Sequence, residues 1–492
     1  MFAYGVAIGR KRTAPHDRKP HQVATRQLST DVKLLGRVGD LAQKRRKFCG
    51  RELFERSFHG AIIIYHSNST GMLDIKFIRE NKDIVAAGAK KKRIDIDLEK
   101  LLTLDDKRRE LQAAIDAKRA EQNAASDAIA KASGGERESL IAKMTELKKT
   151  LQLEEASLQD ILKEWRLLMV MVPNVPDISV PDGESDADNK EVRTWGEKPS
   201  FDFEPKSHSE LLLMHDMADY ERGAKVAGFR GYFLKNDGAR LVWALERFVQ
   251  DRFASKGFTP MIVPSLVRRE AFVGTGYLPQ SEEDLYKTQD GEYLAGTAEV
   301  ATMGYYMEET LDKKDLPLKF FSFSPCFRRE AGSHGKDTKG IFRIHEFQKF
   351  EQVILCEASH EESVRLHEEI TKNAEELLQE LKLPYHVVVN CGGDLGLGQV
   401  KKYDIEAWMP SEKKYRETHS SSYFHDFQTR RLNIRYRDAE GVLRYAHSLN
   451  NTALATPRIL CQIVENNQRS DGSITIPEAL RSYMGKDAIS SS

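Results

Sequence analysis

The chain is predicted to adopt an α+β fold in which a long antiparallel helical hairpin precedes a mostly antiparallel sheet domain. Three observations predict it. Residues 98–171 are polar helix-formers carrying leucines at steps of three and four. Ser133-Gly134-Gly135 interrupts them once, where a chain reversal needs glycine's left-handed freedom. From about residue 207 onward, strand-like stretches alternate with amphipathic helical runs.

The first 71 of the 492 residues are the hardest to interpret. Arg10, Lys11, Arg12, Arg18, Lys19 and Arg26 outnumber Asp17 and Asp31, a bias shared with organellar presequences. The competing expectation is a poorly structured extension upstream of a functional start at Met72, where the chain runs into a helix. The hairpin domain is expected over 72–180. Its first helix carries Leu101, Leu104, Leu111, Ile115 and Ile129. The second carries Leu140, Met144, Leu147, Leu151, Leu158, Leu162, Trp165 and Leu168. At 1.5 Å per residue the hairpin should reach roughly 45–50 Å. Pro173 and Pro176 end it, and a linker, acidic and polar over 182–189, is expected over 181–206. In the domain at 207–492, residues 385–389 and 432–436 read as strands and residues 361–381 as a helix.

Composition excludes several classes. Lys+Arg and Asp+Glu both number 75, so nucleic-acid binding would rest on local patches and not on a global field. Cys49, Cys326, Cys356, Cys391 and Cys461 lack zinc-ligand spacing and read as free thiols. No apolar run reaches the roughly 20 residues of a membrane span. Neither a Walker A sequence nor a G-x-G-x-x-G fingerprint occurs, so nucleotide binding would need another device.

The chemistry-bearing stretch runs from FRREAGS at 327–333 to FRIHEFQKFE at 342–351. It reads as two strands joined by a loop rich in Gly, Ser and Lys. Arg328 and Glu330, two apart, are expected on one strand face. The arginine suits a phosphate, the glutamate an exocyclic amine, and Phe347 a stacked base. An ordinary salt-bridged hairpin would use the same residue types, with Phe347 in a core and Glu299, Glu351 and Glu417 as surface ion-pair partners. Thr297 and Thr452 would equally suit a strand or a cap. The wider pattern decides between the two.

These residues resemble motif 2 of the class II aminoacyl-tRNA synthetases, in the form found in the seryl-tRNA synthetases of bacterial type. GFTPMIVP at 257–264 is similar to motif 1, LNNTALATPR at 449–458 to motif 3, and GTAE at 296–299 to the family's serine-binding T-x-E element. The similarity covers roughly residues 72–485, hairpin included. It implies a class II catalytic domain that activates serine with ATP and Mg2+ and transfers it to tRNA(Ser), with tRNA(Sec) as a second substrate. By position, the resemblance gives Arg328 the α-phosphate and Glu330 the adenine amine, with Arg329 beside them. Phe347 and Arg458 sandwich the base, and Arg458 also reaches the γ-phosphate. Glu417, Thr418, His419 and Ser420 face the triphosphate, with Glu417 and Ser420 on the metal. Thr297, Ala298 and Glu299 hold the serine amino group, and Glu351 and Thr452 its hydroxyl. The chain departs from the family at His419, where serine is common, and at Pro457, where glycine is common.

The resemblance also implies a homodimer whose hairpins carry tRNA. Lys107, Arg108, Arg109, Lys118, Arg119, Lys148 and Lys149 are candidate phosphate contacts, against the simpler expectation of a solvated charged face. It implies a cytoplasmic enzyme, or a mitochondrial or plastid one if residues 1–71 are a presequence. Two rivals are a relative that loads a carrier protein, which would lack the hairpin, and a non-catalytic RNA-binding protein, which would have lost the arginines and glutamates.

Overall fold

The computed structural model describes residues 74–490 apart from 333, 334 and 336. The expected presequence, the start at Met72 and loop residue Ser333 therefore lie outside the described residues. Helix α1 (Ile75–Glu80) opens under Asp74, whose carboxylate accepts from the Phe77 amide at 2.7 Å. Helix α2 (Lys82–Lys91) follows, and then the hairpin pair α3 (Leu98–Lys131) and α4 (Gly134–Met171). These two have 34 and 38 residues, so they extend about 51 and 57 Å, somewhat beyond the expected reach. Gly134 adopts φ +59° at the reversal. The buried seam of α4 is a strict heptad, Met144, Leu151 and Leu158. Lys118–Glu154 at 2.5 Å and Arg119–Glu155 at 2.7 Å pair across it. The hairpin root is not isolated, since Leu98, Leu101, Val172 and Val175 belong to the same buried cluster as the main core.

That core surrounds an eight-stranded sheet. In chain order its strands are β1 (Lys190–Trp195), β2 (Thr259–Ile262), β3 (Leu318–Phe327), β4 (Glu346–Cys356), β5 (Tyr385–Val389), β6 (Lys401–Met409), β7 (Lys414–His425) and β8 (His447–Ala455). The spatial order is β1-β5-β6-β7-β8-β4-β3-β2, antiparallel except for the β2–β3 pair. The stretch expected as linker thus contains an edge strand: β1 pairs with β5, and Arg193 grips Glu375 at 2.6 Å.

The other helices used below are α5 (Asn236–Ala254), α6 (Arg269–Thr275), α7 (Glu299–Gly304), α8 (His360–Glu380), α9 (Phe427–Leu432) and α10 (Thr456–Asn466). Helix α8 covers one sheet face with polar contacts. Gln352 and Asn451 both donate to the Ile370 carbonyl, at 3.0 and 2.7 Å, and Thr371 bonds Ser421 at 2.8 Å. Strand alternation leaves the neighbouring residues 351, 450, 452, 420 and 422 for the opposite face.

Two local expectations fail. Leu432 ends helix α9, and Asn433 turns the chain at φ +55° before a strand at Arg435–Arg437, so 432–436 is not one strand. Arg328 and Glu330 lie beyond the end of β3, and Glu330 has φ +56°. Loop geometry, not strand alternation, aims them. Cys326, Cys356, Cys391 and Cys461 are free and buried. Among the described residues no helix is long and apolar enough to cross a membrane.

Candidate functional site

The uncovered sheet face forms the floor of a cleft of about 330 Å³. Two β-bulges set which side chains reach it. Across β6 and β7, Asp404 pairs with Ser420 and Ile405 with His419, yet Glu406 pairs with Glu417, so Thr418 is the extra residue. The bulge puts Glu417 and Ser420 on one face although they are three apart. Across β4 and β8, Phe350 pairs with Leu454 and Glu351 with Thr452, so Ala453 is extra and Glu351 faces Thr452 directly.

Thr297, Glu299, Arg328, Glu330, Phe347, Glu351, Glu417, Thr418, Ser420, Thr452 and Arg458 all line this one cleft. Three expected residues do not. His419 is rotated into the core by the bulge, where its ring nitrogen bonds Thr418 Oγ at 2.9 Å, and burial pushes it down to about 4. Arg329 points out of the cleft and donates to the Glu283 carbonyl at 2.9 Å. Ala298 is fully buried behind the wall as the N-cap of α7.

At one end of the cleft, Arg458 extends from the first turn of α10. Pro457 is tolerated there because a first-turn residue needs no intrahelical donor. The Arg458 guanidinium donates to the Glu417 carbonyl at 2.9 Å, approaches its carboxylate at 3.3 Å and lies 5.0 Å from the Phe342 ring centre. Arg328 donates to the Gly296 carbonyl at 3.2 Å and sits 5.5 Å from the Phe347 ring centre. Glu330 is held by Arg343 at 2.6 Å. Burial works against ionisation of Glu417, but the charges of Arg458, Lys402 and Arg328 hold it below the usual carboxylate range. Beside it, burial and the Glu417 charge push Asp404 up to about 6 against the pull of Lys402.

The other end gathers two buried carboxylates, a lysine and two threonine hydroxyls. Glu299 accepts from Gln428 at 2.6 Å and from Tyr277 at 2.9 Å. Lys349 donates to Thr297 Oγ at 2.8 Å and meets the Glu351 carboxylate at 2.5 Å. Lys349, Tyr277, Gln428, Arg343 and Phe342 were not among the expected site residues. Lys349 was legible: it lies two residues from both Phe347 and Glu351 on the same strand. Gln428 gave no signal, because only tertiary packing of α9 brings it across 129 positions.

No group of three or more His, Cys, Asp or Glu among the described residues could hold a metal ion. Glu417 and Ser420 offer two oxygens. That suits a magnesium ion completing its shell with substrate phosphates and water, and does not suit a standing protein cage.

The family described as "Seryl-tRNA synthetase N-terminal domain" matches residues 72–176. The family described as "tRNA synthetase class II core domain (G, H, P, S and T)" matches residues 285–467. The chain is 47% identical over 415 residues to a serine–tRNA ligase of Deinococcus radiodurans, covering 84% of this chain and 98% of that one. It is 43% identical over 424 residues to one from Methanocella arvoryzae, covering 84% and 99%. Among solved structures, it resembles a Pyrococcus horikoshii seryl-tRNA synthetase complexed with ATP (41% identity, TM-score 0.78, covering 86% of this chain and all of the other). A cytoplasmic serine–tRNA ligase of Naegleria fowleri in complex with AMP matches at 29% identity and TM-score 0.75, covering 86% and 99%.

Proposed function

The chain belongs to the seryl-tRNA synthetases, class II ligases that join serine to tRNA, and from that premise we propose how its cleft divides the work. The observation that carries the assignment is that Arg328, Glu417 and Arg458 share one cavity with Thr297, Glu299, Glu351 and Thr452. A site for a triphosphate alone would not need the second set.

ATP lies with its adenine between Phe347 and Arg458, its exocyclic amine at Glu330 and its α-phosphate at Arg328. Arg343 stands beside Glu330 and adds a second cation toward the phosphates. Glu417 and Ser420 would hold the magnesium ion, which when bound supplies charge neutralisation on the triphosphate. Serine enters the opposite end, its ammonium at Glu299 and Thr297, its hydroxyl between Glu351 and Thr452.

No protein base is required for the first step, since an α-carboxyl group with a pKa near 3.5 is already ionised. The serine carboxylate oxygen attacks the α-phosphorus, the bond to the β-phosphate oxygen breaks, and pyrophosphate leaves. Arg328 meets the charge that develops on the α-phosphate, and Arg458 restrains the leaving group. In the second step the 3′-hydroxyl of the tRNA attacks the carbonyl of seryl-adenylate and AMP leaves.

Residues 72–180 act as the tRNA-binding hairpin domain, and 207–492 form the catalytic domain together with edge strand β1 from the connecting stretch 181–206. Lys107, Arg109, Lys148 and Lys149 form no ion pair among the described residues, which favours them over Arg108, Lys118 and Arg119 as phosphate contacts. tRNA(Ser) is the partner and tRNA(Sec) a second one. Trp243 on α5 and Ile262 at the sheet edge, 65% and 86% exposed, give a homodimer an apolar face to bury. The cytoplasm is the proposed compartment. The test is serine-dependent ATP–pyrophosphate exchange followed by charging of tRNA(Ser) and tRNA(Sec). Exchange without charging would favour a carrier-protein ligase, and neither activity a binding module.

A further inference from the structure

The cleft has one wall with no side-chain role in the reaction above: residues 396–399, just before β6. All four of its carbonyl oxygens are taken by two residues that flank the hairpin. Lys92, six residues before α3, donates its ammonium to the carbonyls of Gly396 at 3.0 Å, Leu397 at 2.9 Å and Gln399 at 2.6 Å. Asn174, three residues after α4, donates its side-chain amide to the Gly398 carbonyl at 3.0 Å and its backbone amide to the Leu397 carbonyl at 2.9 Å. Both clamping residues are buried, Lys92 at 3% and Asn174 at 0% exposure.

Burying an ammonium is costly, and here its three donors all meet main-chain oxygens of one loop. The other side of that loop touches the serine end of the cleft by two routes. Gln399 donates to Ser422 Oγ at 2.8 Å, and Ser422 pairs with Asn450 on β8, two residues from Thr452. Gly398 packs so tightly on Phe427 that a Cβ would lie 2.5 Å from its ring. The same ring abuts Gly276, next to Tyr277, which bonds Glu299.

We infer that Lys92 and Asn174 are positioning residues through which the hairpin root sets the shape of the serine pocket. Neither touches a substrate; Lys92 acts through the loop it holds, and Asn174 through that loop and through the Phe424 carbonyl of β7, to which its side-chain amide also donates at 2.8 Å. The inference rests on the assignment of this end of the cleft to serine.

The experiment is ATP–pyrophosphate exchange by the full chain, without tRNA, for Lys92→Met and Asn174→Ala, with each Tm measured. The expected result is a KM for serine raised about tenfold while the KM for ATP stays within about twofold. A parallel rise in both, or no change in either, in a variant that remains folded would overturn the inference. If one variant fails to fold, the other decides. If the wild-type chain exchanges without dependence on serine, the assignment of the pocket fails first, and that outcome is distinguishable because it appears before any substitution.

Discussion

The Lys349 ammonium stands 2.5 Å from the Glu351 carboxylate, and the two side chains are 7% and 3% exposed. The Glu351 charge is therefore balanced inside the pocket before any substrate arrives. Lys349→Met leaves Glu351 buried and uncompensated, which costs about 3–5 kcal/mol of stability. Lys349→Met with Glu351→Gln should recover most of that loss in a denaturant titration while leaving serine activation impaired. A double variant as unstable as the single one would show that the pair is not the source of the cost.

Glu299 gives the pocket a pH dependence. Burial, reinforced by the Glu351 charge, pushes it up to about 7, against hydrogen bonds from Gln428 and Tyr277 and the charge of Lys349. An ammonium is held by the ionised form, so kcat/KM for serine should climb about tenfold between pH 6 and pH 8. Stability runs the other way. The folded pKa lies above the unfolded one, so this group favours the fold while protonated, and that contribution is lost as pH rises through about 7. Glu299→Gln should flatten the stability profile there and abolish the rise in activity.

Arg458 meets Glu417 through both its backbone and its side chain. Arg458→Ala removes a cation aimed at the triphosphate, and exchange should fall about 100- to 1,000-fold, the range for losing one preorganised charge donor. The KM for serine should change far less than the KM for ATP.

His419 offers the opposite test. It is buried away from the cleft, so His419→Ser should leave the KM for ATP within about threefold of the parent while costing about 1–3 kcal/mol of stability from its lost packing and hydrogen bond. A large change in ATP affinity at unchanged stability would return His419 to the site.

Most of the hairpin was legible because its period is local: the leucine spacing of α4 and Gly134 need no knowledge of the rest of the chain. The cleft was legible through its motifs, but with errors of a definite kind. Two-residue spacing suggests a strand face for Arg328 and Glu330, although the chain has already left β3 and Glu330 sits at positive φ. The resemblance points to the whole run 417–420, and no motif shows that a bulge at Thr418 turns His419 away from the cleft while keeping Glu417 and Ser420 on it. The β1 strand follows an acidic stretch and has only Val192 and Trp195 as apolar residues, because an edge strand needs little apolar sequence. Gln428 and the 396–399 wall come from tertiary packing alone, and nothing in their neighbourhoods announces them.

The extra residue at Thr418 has a consequence for how this strand tolerates change. Substitution there alters one side chain, and deletion would iron out the bulge while keeping Glu417 opposite Glu406 and Ser420 opposite Asp404. Ser420 and Ser422 would still face the cleft, and Ser421 would keep its bond to Thr371. A single codon lost at this point should therefore leave the register of the sheet intact, unlike one lost where no residue is spare.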